Sequence, residues 1–214
     1  MTQTPIRAVL WDFGGVILSS PFEAFNTYET QQGLPRDFIR GVNAHNPHSN
    51  AWAQLERNNI GPAQFDELFA RESEQLGHRI PGYDVLALLS GEVRPAMVAA
   101  LDAVIDAGYL TACLTNNVVS MSGEPTARQQ HVALIMAKFH HVVESSKVGC
   151  RKPEPEFYEI ACNLLGVQAS ECVFLDDLGI NLKPAAAMGM RTIKVVNPHD
   201  ALDELSEHLA MPLR

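Results

Sequence analysis

With 214 residues, 46% of them apolar, the chain has room for one sizeable domain carrying a modest insertion, and wholesale disorder is excluded. A formal net charge of −9, with no run of Lys or Arg, argues against nucleic acid and anionic membranes as main partners. No long apolar segment is present to span a membrane, and MTQTPIRAVLW lacks the apolar length and small-residue cleavage site of a signal peptide.

Taken in chain order, Ile6 to Trp11 reads as a buried strand running into Asp12. Residues from about 19 to 91 carry amphipathic helix patterns (FEAFNTYET, RDFIRGV, AQFDELFARESEQL) with no good strand between them, which predicts an all-helical insertion. Met97, Leu101, Val104 and Ile105 recur at helical spacing, with Gly108 as the stop. Leu110 to Leu114 is the next strand, followed by polar Thr115-Asn116-Asn117 and a flexible-looking loop over 119–126 in VVSMSGEPT. Val142-Val143 marks a short strand. Phe157, Ile160, Ala161, Leu164 and Leu165 mark a helix ending at Gly166. Cys172 to Leu175 is a strand running into Asp176-Asp177, Thr192 to Val196 is the last strand, and Asp200 is placed to cap a final helix through Leu209. Apolar strands alternating with helices predict an α/β fold, a parallel sheet with helices on both faces. The four cysteines, Cys113, Cys150, Cys162 and Cys172, have no CxxC spacing, and three lie in apolar segments. They read as reduced thiols of a cytoplasmic protein.

Ligands of open α/β sheets bind beyond the carboxyl ends of the strands. Asp12, Thr115-Asn116, Arg151-Lys152 and Asp176-Asp177 all fall there. Singly, each has a plain reading: an Asp after a strand caps a turn, Asn-Asn makes a turn, and a Lys before Pro opens a helix. The adjacent carboxylates of Asp176-Asp177 fit such a reading least, because they repel unless a cation or donors stand between them. In this order the set suits phosphoryl chemistry. An Asp can attack phosphorus, Mg²⁺ on hard oxygen ligands would offset the repulsion, Thr115 and Asn116 could donate hydrogen bonds, and Lys152 adds positive charge.

On DFGGV, CLTNN, VGCRKPEPEFY and VFLDDLGINLKPAAAMGM the chain resembles the haloacid dehalogenase-like (HAD) superfamily over most of its length. The last two motifs are especially similar to the N-terminal phosphatase domain of soluble epoxide hydrolases and its bacterial relatives, and WAQLERNNIGPAQFDELF to the helical cap found there. The resemblance implies a Rossmann-like three-layer core over 1–18 and 92–214, a helical cap over 19–91, and Mg²⁺-dependent hydrolysis of a small phosphorylated molecule. It implies Asp12 as nucleophile, Thr115, Asn116 and Lys152 as phosphate ligands, and Lys152 also as partner of Asp12. Asp177 would be the main acidic metal ligand after Asp12, supported by Asp176 and Asn181.

One position departs from that pattern. The family's phosphatases carry an acid–base Asp two residues after the nucleophile, and here that place is Gly14. The metal is held there by the main-chain carbonyl, which glycine retains. The expectation is a phosphatase weak on alkyl phosphates and better on sugar 1-phosphates, acyl or aryl phosphates, whose leaving groups need less protonation. A low-turnover binding or regulatory protein and a metal-free dehalogenase are the other readings, the latter opposed by Asp176-Asp177. His45 and His48 read as loop residues, and His140-His141 as partly buried polar residues. Trp52, Phe65 and Phe69 read as a packing stripe. Cys150, near Lys152 in sequence, is a candidate reactive thiol.

Overall fold

The computed structural model describes residues 4–117 and 126–213. The 119–126 loop therefore lies outside the described residues, apart from Thr126, which caps the helix after it.

Strand β1 (Ala8–Trp11) leads into five helices: α1 (Phe22–Gln32), α2 (Phe38–Ala44), α3 (Ala51–Glu56), α4 (Pro62–Gln75) and α5 (Gly82–Ala87). Then follow α6 (Pro95–Asp106), β2 (Leu110–Thr115), α7 (Ala127–Met136), β3 (His141–Glu144), α8 (Ser145–Val148) and α9 (Pro155–Leu165). The chain closes with β4 (Cys172–Asp176), α10 (Gly179–Ala187), β5 (Arg191–Lys194) and α11 (Pro198–Leu209). The five strands form one parallel sheet in the order β3-β2-β1-β4-β5.

Both faces of this sheet are buried, which is why its strands read as apolar runs rather than alternations. Val9 and Trp11 of β1, with Val173 and Leu175 of β4, pack into a core shared with α6, α7 and α11. Ala8 and Leu10, with Cys172 and Phe174, face α9 and α10. A third cluster, including Phe25, Ile39, Phe65, Phe69 and Ile80, is built from residues between 25 and 85 alone. The segments entering and leaving these helices meet in an antiparallel bridge between Leu18 and Val93.

Strand β1 starts at Ala8 rather than Ile6, β2 and β4 each run one residue further than the sequence reading, and the two C-terminal elements differ as well. The last strand is Arg191–Lys194: Val195 still donates to the Asp176 carbonyl, but Val196 turns outward and is 78% exposed. The final helix is capped by Asn197, whose side chain accepts from the His199 N–H, with Pro198 at the first helical position. Asp200 sits in the first turn, where its charge faces the positive end of the helix dipole.

Candidate active site

The chain runs from β1 outward to β2 and β3, then returns to β4 on the other side of β1, so the order in which strands are added reverses between β1 and β4. Such a reversal opens a crevice at the carboxyl edge. Trp11 is in register with Leu175 and with Cys113, which brings Asp12, Asp176 and the end of β2 to one edge.

Asp12 continues the ladder through its N–H, which donates to the Leu175 carbonyl at 2.8 Å. Its Oδ1 accepts from the Phe13 N–H at 2.6 Å and from Lys152 Nζ at 2.7 Å. Lys152 arrives from the loop between α8 and α9, is 1% exposed, and also donates to Asp176 Oδ2 at 2.8 Å. Burial opposes its charge, yet Asp12 and Asp176 outweigh burial and hold the ammonium above its ordinary pKa. Asp12 is pushed well above the usual carboxylate range, first by burial and then, against the pull of Lys152, by Asp176 and Asp177. Asp177 is pushed up to about 6 by burial and by Asp176.

One carboxylate oxygen from each of Asp12, Asp176 and Asp177 lies within 4.8 Å of the other two. At an effective dielectric of about 20, two charges so placed repel by roughly 3 kcal/mol. Among the described residues Lys152 is the one fully buried cation, so with all three carboxylates ionised the cluster would carry an excess of about two negative charges. A hard divalent cation matches this donor set. Asp176 is already engaged by Lys152, by the Leu178 N–H and by Asn181 Nδ2. Asp177 accepts from Ser20 Oγ at 3.2 Å and is the more available ligand.

The two glycines after Asp12 differ in kind. Gly15 has φ +84°, and a Cβ there would lie 2.3 Å from the Asp177 carboxyl group, so the close approach of that carboxylate requires glycine. Gly14 has φ −73° and ψ 128°, angles open to any residue, and a Cβ there would meet nothing within 4 Å. Neither backbone nor packing demands glycine two residues after Asp12.

Thr115 is buried at the end of β2. The Asn116 side chain is turned to the main chain of Lys152: Oδ1 accepts from its N–H at 2.9 Å and Nδ2 donates to its carbonyl at 3.0 Å. Sequence reasoning missed three contributors. Arg94 donates to the Gly15 carbonyl at 2.6 Å, Ser20 donates to Asp177, and Glu56 of α3 approaches Asn116 and Arg151. Partners 60 to 157 residues apart leave no local signal. All four cysteines are free and buried. Burial pushes the Cys150 thiol up and Lys152 is committed elsewhere, so Cys150 is not an activated thiol. His45 and His48 offer main-chain carbonyls, to Asn50 and Arg57. The His140 ring meets Thr111.

Residues 6–189 match the family of haloacid dehalogenase-like hydrolases. Over 97% of its length the chain is 36% identical to mouse (Mus musculus) acyl-CoA dehydrogenase family member 10, and over 94% it is 33% identical to mouse bifunctional epoxide hydrolase 2. It spans 19% and 38% of those two proteins. Among solved structures, a HAD family enzyme from Bacteroides thetaiotaomicron, in complex with magnesium and inorganic phosphate, superimposes with a TM-score of 0.58. That likeness has 20% identity and covers 88% of this chain and 93% of that one.

Proposed function

We propose a function from one premise: the chain belongs to the haloacid dehalogenase-like hydrolase family and is a hydrolase. The reading best supported is a Mg²⁺-dependent phosphomonoesterase acting on a small phosphorylated molecule. The observation that carries it is Lys152, buried between Asp12 and Asp176 beside a third carboxylate, Asp177. A metal-free dehalogenase has no use for that third carboxylate.

In this reading Asp12, Asp177 and the Gly14 carbonyl hold Mg²⁺, with Asp176 supporting them through its bonds to Asn181 and Lys152. Mg²⁺, when bound, supplies positive charge to the phosphoryl oxygens. Asp12 Oδ1 is held by Lys152 and Phe13, which leaves Oδ2 to attack phosphorus. A bond from Oδ2 to phosphorus forms as the bond to the leaving oxygen breaks, giving an aspartyl-phosphate. Water then attacks phosphorus, releasing inorganic phosphate and restoring Asp12. Lys152 and Thr115 stabilise the phosphoryl oxygens. Asn116 contributes by fixing the Lys152 main chain.

Gly14 supplies no acid to the leaving group, so activated phosphates are the favoured substrates: acyl, aryl and sugar 1-phosphates. The same glycine favours a second reading, a low-turnover binding protein. The helices of 19–91 form the cap over a core of 1–18 and 92–214. Among the described residues no helix is long and apolar enough to cross a membrane. The four free, buried cysteines suit a reducing, cytoplasmic setting.

The test is hydrolysis of p-nitrophenyl phosphate and acetyl phosphate with and without Mg²⁺, for wild type and Asp12→Asn. Mg²⁺-dependent turnover lost in the variant is the expected result. Full activity in a folded Asp12→Asn protein would refute the covalent mechanism. Absence of turnover in wild type on any phosphate ester would leave the binding reading.

A further inference from the structure

A fourth carboxylate, itself buried, stands near the constellation, and it comes from the inserted helices. Glu56, 5% exposed, is the last residue of α3. Its Oε1 accepts from Trp52 Nε1 at 2.9 Å, and its Oε2 lies 2.7 Å from Arg151 Nε and 3.4 Å from Asn116 Nδ2. Both core partners bear on Lys152. Arg151 precedes it in the chain, and the Asn116 amide clasps its main-chain N–H and carbonyl. The next residue of the insertion, Arg57, pairs with Glu154, which in turn accepts from the Arg151 N–H at 3.2 Å. The dipeptide Glu56-Arg57 thus meets segment 151–154 acid to base and base to acid. That alternation admits one seating and penalises a shifted one with like charges.

We propose that Glu56 is a positioning residue for Lys152, so that the seating of α3 on the core sets the ammonium between Asp12 and the phosphoryl group. This rests on the phosphatase reading above. The lysine stem is long and flexible, and its reach is defined only if its main chain is held. Asn116 holds that main chain, and Glu56, accepting from the Asn116 amide and facing Arg151, holds the Asn116 amide in the orientation this requires. Burying a carboxylate is otherwise costly. Here its charge is answered by Arg151, whose side chain is 13% exposed.

The test uses the full chain with Mg²⁺ and p-nitrophenyl phosphate. Glu56→Gln keeps the size and removes the charge facing Arg151. We expect kcat to fall about 10- to 100-fold, the range for a reacting group displaced by a fraction of an ångström to about 1 Å. KM should move little, orthovanadate should bind more weakly by a similar factor, and Mg²⁺ affinity by calorimetry should be unchanged. A strut with no positioning role would lower the melting temperature and leave kcat and orthovanadate affinity of the folded protein intact; that result overturns the proposal. So does a loss of Mg²⁺ affinity that accounts for the loss of kcat. If Glu56→Gln does not fold, Trp52→Phe keeps the ring against Phe65 and removes the N–H donated to Glu56. It should show the same pattern at about fivefold, the scale of one hydrogen bond, and an unchanged kcat there overturns the proposal. Should wild type hydrolyse no phosphate ester, the phosphatase reading falls. Orthovanadate affinity then still reports the placement of Lys152, and equal affinity in wild type and Glu56→Gln refutes the role of Glu56.

Discussion

The adjacent glycines that follow Asp12-Phe13 carry different constraints. Gly15 is tied to Asp177 by space and by positive φ, whereas Gly14 has ordinary angles and open surroundings. Gly14→Asp should therefore fold normally. It should raise turnover of alkyl phosphates toward the roughly 10²- to 10⁴-fold worth of a positioned acid–base group, with a smaller gain on aryl phosphates. An equal gain on both classes, or none, in a variant that melts like wild type would show that Gly14 does not mark a missing acid. Asp177 offers a second measurement. Its carboxyl is pushed up to about 6 by burial and by Asp176, so in the metal-free chain it is protonated below about that pH. Its contribution to stability is therefore present at low pH and lost as pH rises through about 6. Mg²⁺ needs the carboxylate, so the melting temperature should rise more on adding Mg²⁺ at about pH 7.5 than at about pH 5. Asp177→Asn should shrink that difference, with Asp12 keeping its own share; a wild-type shift equal at both pH values would exclude Asp177 as a ligand.

Among the elements, the strands were legible because burial on both faces turns each into a run of apolar residues. The same rule misplaced the end of β5, where Val195-Val196 prolongs an apolar run although only Val195 stays buried and Val196 has turned outward. The start of α11 was misread for another reason. Asp200 and Asn197 are both acceptable caps by type, and the choice depends on which side chain reaches a free N–H. Asn197 does, aided by Pro198. Asn197→Ala should cost about 1 kcal/mol in chemical denaturation, and Asp200→Ala roughly 0.5 kcal/mol, the scale of a charge near a helix N-terminus. A larger loss from Asp200→Ala would reverse the assignment of the cap.

Over the whole molecule, apolar clusters divide along the chain: two flank the sheet, and a third lies within the inserted helices. Phe25, 1% exposed, belongs to the third. Phe25→Ala should cost about 3–5 kcal/mol by cavity formation. In hydrogen exchange the loss should speed amides of residues 22–87 while those of β1 and β4 keep their protection. Uniform acceleration through the sheet would show that insertion and core unfold as one unit. The sequence by itself determined the α/β class, the run of helices between β1 and β2, and the order of Asp12, Thr115, Lys152 and Asp176-Asp177 along the chain. Each of these rests on residues next to one another or at a helical period. Only the tertiary structure decided that the Asn116 amide serves the Lys152 main chain, that Asp176 is spent on Lys152 and Asn181, and that Arg94 and Glu56 reach the site. Those partners meet because a parallel sheet gathers the ends of distant segments at one edge, and no local periodicity records which distant side chain fills the space beside them.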